Sequence, residues 1–206
     1  MKAIETIYNG YRLRSRIEAR WAVFFDALGI TYEYESQGFD LDGVWYLPDF
    51  WLPEHACWIE IKGVSPTEEE QTKARRLALH SGKPVHVFSG EIRMPDPRPN
   101  LSYSFYPDEE SSIFGSFHEC SRCHKIGIVQ DILFLEIQKL ERLPCTCYRE
   151  LGILDPVVPD VFIHHRPFFI KIWIEMLVDQ YDSVSPRLDQ AYTTARQARF
   201  EHGEKP

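Results

Sequence analysis

The chain has 206 residues, 44% of them hydrophobic, and a formal net charge of −8, which suits one large domain or a smaller domain with an appendage. That acidic balance excludes a protein that coats nucleic acid through bulk positive charge, but not one that uses a local basic patch beside acidic groups. The longest apolar run, FFIKIWIEMLV, contains Lys171 and Glu175 and falls short of the ~20 residues that span a bilayer. With no charged-then-apolar leader at its start, the expected location is the cytoplasm, with no membrane partner.

The first 21 residues carry a local basic excess, Lys2, Arg12, Arg14, Arg16 and Arg20 against Glu5 and Glu18. From Arg12 to Leu28, Leu13, Ile17, Trp21, Phe24, Phe25 and Leu28 recur at helical spacing, and Gly29 follows as a C-terminal cap. ITYEYE alternates as a short strand, GFDLDG reads as a turn, and VWYLPDFWL and CWIEIKG are two strands joined by PEHA. SPTEEE then opens a helix, with Ser65 as N-cap, Pro66 in the first turn and Glu68 closing a capping box. That helix stops at Gly82, and KPVHVFSG is a fourth strand.

After Gly90 the segment EIRMPDPRPNLSYSFYPDEESS is proline-rich and poor in aliphatics, the composition of a linker or an edge. Residues 117–149 hold two cysteine pairs, with KIGIVQ and FLEIQKL as flanking strand candidates. Beyond DPVVPD, a helix is expected near 167–181, with Lys171 and Glu175 one turn apart. SPRLDQAYTTARQARFEHG closes the chain as a helix carrying Arg187, Arg196 and Arg199. These arginines suit either a channel wall or, more simply, the outer face of a packing helix.

Asp49, Glu60 and Lys62 stand inside otherwise apolar strands, where an unpaired charge is costly. If the hairpin loop is Pro53–Ala56, the register that sets Leu52 opposite Cys57 also sets Asp49 opposite Glu60, with Cβ atoms ~4.5–5.5 Å apart. Lys62 shares that face, whereas Cys57, Ile59 and Ile61 point to the other. Two facing carboxylates repel unless one is protonated or a cation lies between them, and Mg²⁺ or Mn²⁺ suits such a pair. The plainer arrangement is a surface Glu–Lys pair with Asp49 in an Asx turn. PD occurs four times, yet only Pro48–Asp49 lies on an apolar strand and precedes the single Glu-x-Lys by a hairpin's length.

Cys120 and Cys123, in CSRC, and Cys145 and Cys147, in CTC, form two tight pairs. In a chain without a leader they read as metal ligands before disulfides. Four thiolates suit a closed structural Zn²⁺ site, in which His118 or His124 can replace one cysteine; free buried thiols are the alternative. Arg122, Lys125, Lys139, Arg142 and Arg149 lie nearby as possible contacts to nucleic acid. Cys57 reads as core, His55 as an exposed hairpin tip, and His164–His165 as a poor chelating pair.

PD, ten residues and then EIK, after a helix carrying Glu18 and before a further helix and strand, resembles the PD-(D/E)xK nuclease superfamily over residues 10–90. YRLRSRIEARW is similar to the start of nuclease-fold proteins common in mobile elements. The resemblance implies a restriction-endonuclease-like α-β-β-β-α-β core over 1–105, to which a zinc-ribbon-like module (106–150) and a helical extension (151–206) would be added. It implies Asp49, Glu60, the Ile61 carbonyl and the first-helix Glu18 as metal ligands, with Lys62 positioning water. Gln71 or Lys73 from the second helix can reach such a site. The expected activity is Mg²⁺-dependent hydrolysis of DNA, or RNA, and the alternative is a non-cleaving nucleic-acid adaptor acting through the ribbon.

Overall fold

In the computed structural model the described residues are 4–92, 100, 102–110, 112–130, 143–147, 181–182 and 185–200. FLEIQKL, DPVVPD, Lys2, Lys139, Arg142, Arg149, His164, His165, Lys171, Glu175, Glu201, His202 and Glu204 lie outside them, as does the helix expected near 167–181 apart from Tyr181. The described residues form a mixed α/β structure with three helices and one large mixed sheet.

The chain opens with a hairpin, β1 (Thr6–Tyr8) and β2 (Tyr11–Leu13), turned by Asn9 and Gly10 at φ 46° and 80°. Two successive left-handed residues give the tight turn that matches strand twist. This corrects the expected helix start, because Leu13 is a strand residue. Helix α1 (Arg16–Leu28) begins only after Ser15, whose side chain accepts the Glu18 N–H. A serine cap facing its third residue decides the boundary over the apolar period. Gly29 ends the helix at φ 69°, as expected.

ITYEYE keeps its alternation, with Ile30, Tyr32 and Tyr34 buried, although only β3 (Glu33–Tyr34) pairs in the sheet. GFDLDG is more than a turn: β4 (Phe39–Leu41) and β5 (Val44–Tyr46) form a separate ribbon turned at Asp42–Gly43. The expected nine-residue strand is broken at Leu47–Asp49 and resumes as β6 (Phe50–Leu52). Pro48 lies at that break and has no N–H to give a ladder.

The β6–β7 (Cys57–Lys62) register matches the expected one, with Leu52 facing Cys57, Trp51 facing Trp58 and Phe50 facing Ile59. Helix α2 (Glu68–Ser81) carries the chain over to β8 (Val85–Ser89), which pairs parallel to β7. Its cap is Thr67 rather than Ser65, in a capping box closed by Glu70. SPTE and TEEE offer overlapping boxes, and the second leaves Pro66 outside the helix.

The proline-rich segment yields a correction too. β9 (Ser102–Phe105) lies between β8 and β10 (Ile113–Cys120), inside the sheet. On one face Ser102 and Ser104 are fully buried and satisfied by His86, by each other and by the Gly115 carbonyl, and on the other Phe105 joins the α2-side core. β11 (Ile126–Gln130) completes that edge, and β12 (Tyr181–Asp182) pairs with the far end of β10. β10, which ends in Cys120, and β11 thus continue the same sheet as β6–β8.

Helix α3 (Pro186–Gln197), capped by Ser185, packs with α1 over one face. Trp21, Phe24, Phe25, Ile59, Phe88, Phe117 and Tyr192 form the core there, with Trp21 and Phe88 centroids 4.6 Å apart and Phe24 and Tyr192 4.5 Å apart. α2 covers the other face with Ala74, Leu77 and Ala78 against Trp58, Val85, Val87 and the β4 residues Phe39 and Leu41. Trp21 is fully buried and touches four aromatic rings. Trp21→Ala is expected to lower stability by about 3–5 kcal/mol in chemical denaturation.

Candidate active site and metal centre

The Pro48 break places Asp49 where β6 begins. The N–H of Trp58 points to the β8 side of β7, donating to the Pro84 carbonyl, so the Ile61 N–H points to the β6 side. The last ladder pair there is Phe50–Ile59. Beyond it, Asp49 Oδ2 accepts the Ile61 N–H at 2.7 Å, so a carboxylate takes the place of a main-chain carbonyl. The Asp49 carbonyl in turn accepts the Glu35 N–H at 2.9 Å. The side chain is thereby fixed at 2% exposure, close to Glu60 at 5%.

Burial, then the charges of Glu60 and Glu18, raise the Asp49 pKa well above its ordinary 3.8, against the lowering pull of the Ile61 N–H and Arg14. Arg14 Nη2 donates to Asp49 Oδ1 at 2.7 Å. Lys62 Nζ lies 2.8 Å from Glu60 Oε1 and 3.4 Å from Glu70 Oε1. Burial lowers the Lys62 pKa, but Glu60, Asp49 and Glu70 together outweigh it and raise it, so the group is an ammonium at neutral pH. Glu60 Oε2 is buried with no hydrogen-bond partner of good geometry. Tyr46, at the end of β5, has its pKa raised by burial and then by Glu60 and Asp49, so it stays a phenol and can only donate to them.

The structure therefore brings Asp49, Glu60 and Lys62 together and holds Glu18 one layer behind. Both Glu18 oxygens are engaged, Oε1 by Ser15 at 2.6 Å and Oε2 by Tyr34 at 2.6 Å and the Arg14 N–H at 3.0 Å. Neither Gln71 nor Lys73 shows a contact to the acids: Gln71 donates to the Pro66 carbonyl and Lys73 pairs with Glu69. The second helix reaches the site through Glu70 instead, the residue that closes its capping box. Sequence reasoning missed Glu70, Tyr46 and the contact of Arg14. The capping-box spacing was the one available signal for Glu70, and a charged Arg14 just ahead of the first-helix cap was the signal for its role.

The second centre lies where β10 turns into β11. Cys120 ends β10, its N–H donates to the Lys125 carbonyl, and the His124 N–H returns to the Cys120 carbonyl, both at 2.9 Å. This tight loop, with His124 at φ 58°, sets Cys123 beside Cys120. With Cys145 and Cys147 they form a cluster whose sulfur atoms all lie within 4.8 Å of one another, and which can bind a metal such as zinc. A Zn–S length of ~2.3 Å gives tetrahedral edges of ~3.8 Å. Among the described residues no other group of three or more Cys, His, Asp or Glu ligand atoms lies that close, the three acids included. Neither histidine is part of it, since His118 contacts Ser116 and His124 contacts Glu119. The Cys147 pKa is pushed up to about 12, first by its hydrogen bond with Cys123, so four thiolates do not coexist there without a cation.

Cys57 is core, as expected, packed on the α1 side of the sheet. His55 is half-buried rather than free at its hairpin tip, because Nε2 lies 2.9 Å from the Ile126 carbonyl. No protein-family model, curated protein or solved structure matches the chain.

Two predictions follow from the chemistry of these groups. An acid whose native pKa lies above its unfolded value keeps its proton longer when folded, so stability is lost as pH rises from about 4 through the raised value. In protein dialysed free of Mg²⁺ and Mn²⁺, Asp49→Asn is expected to raise the thermal midpoint at pH 7.5 by about 2–4 °C and to flatten its pH dependence. Differential scanning calorimetry across pH checks this, and a lowered midpoint contradicts it. At the other centre, Co²⁺ substitution is expected to give thiolate charge-transfer absorption at one equivalent per chain, lost in Cys123→Ser/Cys147→Ser.

Proposed function

We propose that the protein is a metal-dependent nuclease of the restriction-endonuclease-like kind, hydrolysing phosphodiester bonds of DNA at Asp49, Glu60 and Lys62. The observation that carries this reading is the pair of nearly inaccessible carboxylates with an ammonium 2.8 Å from one of them and one buried carboxylate oxygen without a partner. Such an arrangement is costly for folding alone, because like charges in low dielectric repel. The donor set suits a hard divalent cation, with Asp49, Glu60 and the Ile61 carbonyl as its ligands. Mg²⁺ or Mn²⁺ bound there would supply Lewis acidity at a phosphate oxygen and acidify a bound water.

The protein's own groups supply the rest. The Ile61 N–H fixes the Asp49 carboxylate in place. Lys62, kept charged by Glu60 and Glu70, orients the attacking water and stabilises charge developing on the phosphate. Glu18 acts through Asp49, since it anchors the Arg14 backbone and the Tyr34 hydroxyl. In this reading the four cysteines hold a structural Zn²⁺ in a ribbon-like staple, and the protein works in the cytoplasm, in keeping with a mobile-element nuclease. No helix among the described residues is long and apolar enough to cross a membrane.

One observation favours a second reading. The cysteine cluster is more completely assembled than the acid site, where Arg14 already holds Asp49. A non-cleaving nucleic-acid adaptor acting through the zinc centre fits that contrast. Plasmid and branched DNA incubated with purified protein and Mg²⁺ or Mn²⁺ separate the two. Asp49→Ala and Lys62→Ala are each expected to reduce cleavage by about 10²–10³-fold, the usual loss when one transition-state stabiliser is removed. Cleavage that survives both changes, or zinc-dependent binding with no cleavage, rejects the nuclease reading.

A further inference from the structure

The acid cluster already carries a guanidinium on one of its carboxylate oxygens. Asp49 Oδ2 accepts the Ile61 N–H, which leaves Oδ1 as the oxygen free of the main chain, and Arg14 Nη2 donates to it at 2.7 Å. Glu60 is arranged in parallel, with Oε1 on Lys62 and Oε2 without a partner. The pair thus has one carboxylate oxygen without a hydrogen bond, on Glu60, and one covered by a guanidinium, on Asp49.

We propose that Arg14 is an exchangeable counter-ion of this cluster, displaced from Asp49 Oδ1 when a divalent cation binds, and that its freed guanidinium then takes a phosphate of the substrate. The phosphate half rests on the nuclease reading; the exchange half needs only the cation.

Three observations support exchange over a fixed ion pair. The Arg14 side chain is 52% exposed while that of Asp49 is 3% exposed, so the guanidinium reaches in from solvent and can leave without uncovering core. Its second partner is an ion pair rather than an aligned hydrogen bond: Nε lies 2.6 Å from Glu35 Oε1, an oxygen with no hydrogen bond of acceptable geometry. Its main chain, by contrast, is pinned, because the Arg14 N–H is shared between Glu18 Oε2 and the Tyr34 hydroxyl at 3.0 Å each. Motion is thus confined to the side chain, on a fixed pivot between β2 and α1. A planar guanidinium matches a phosphate in two-pronged geometry, which an ammonium does not. Swinging from a carboxylate to a phosphate beside it conserves the charge pairing of the arginine.

Competition of this kind lowers the apparent metal affinity by the fraction of molecules in which Arg14 occupies the oxygen. The test is calorimetric titration of full-length, zinc-loaded protein with Mn²⁺ alone. Arg14→Ala is expected to bind Mn²⁺ about tenfold more tightly than wild type, as for an occupied state favoured roughly ten to one. Asp49→Asn should abolish this binding. Arg14→Gln, which keeps most of the stem, provides the same comparison if the alanine variant unfolds. At saturating Mn²⁺, Arg14→Ala should cleave DNA about 10–100-fold more slowly, with partial recovery in Arg14→Lys. Unchanged or weaker Mn²⁺ binding in both Arg14→Ala and Arg14→Gln overturns the exchange, as does absence of binding to every variant. A full cleavage rate in Arg14→Ala overturns the phosphate role. Tighter Mn²⁺ binding with no cleavage by any variant supports the exchange and rejects the nuclease reading alone.

Discussion

One hydrogen bond, from a main-chain N–H to a side-chain carboxylate, organises this end of the molecule. The Ile61 N–H would ordinarily continue the β6–β7 ladder; Asp49 accepts it instead, and a charge is installed where the sheet would otherwise run on. The surrounding features answer that substitution. Pro48 lies where β5 and β6 part, the β4–β5 ribbon places Tyr46 near Glu60, and α2 begins with a capping box whose glutamate also faces Lys62. Arg14 closes the opposite side from the loop before α1. Two cations thus face a cluster of buried and half-buried acids, a balance that favours any further positive charge offered to it.

The β6–β7 hairpin was legible in the sequence because strand parity and a short loop leave little freedom: once Leu52 faces Cys57, the neighbourhood of Asp49 and Glu60 is set. The cysteine pairs were legible for the same reason of spacing, since a turn of two residues cannot separate Cys120 from Cys123. Other features were not legible. β9 hides inside the sheet because one of its two buried faces is serine, which fills little volume and bonds to its own kind, so only Tyr103 and Phe105 on the other face carry an apolar signal. The start of α1 was misplaced by four residues because Leu13 is apolar in a strand as it would be in a helix. Arg14 was marked only by its charge ahead of the first-helix cap; its partner was not legible, because the reach to Asp49 spans 35 positions and depends on tertiary placement.

The two centres are tied to one framework. Glu119, next to Cys120, accepts from Ser185, the cap of α3, at 2.6 Å. Arg187 then bridges the His124 carbonyl and the Leu28 carbonyl at the end of α1. The cysteine turn is therefore mechanically linked to the helix whose first turn carries Glu18, although the acids and the thiols sit on different strands.

The packing of α3 on α1 also bears on how the protein is made. The Arg187–Leu28 contact joins positions 159 residues apart. At ~5–20 residues per second, a ribosome would leave the α3-facing side of α1 uncovered for roughly 10–30 s after it emerges. During that interval the side of Phe24 that meets Tyr192 lies open on the nascent chain. A gene product interrupted before 185–200 would keep that side of α1 open permanently, so this late helix is the lid of the aromatic core.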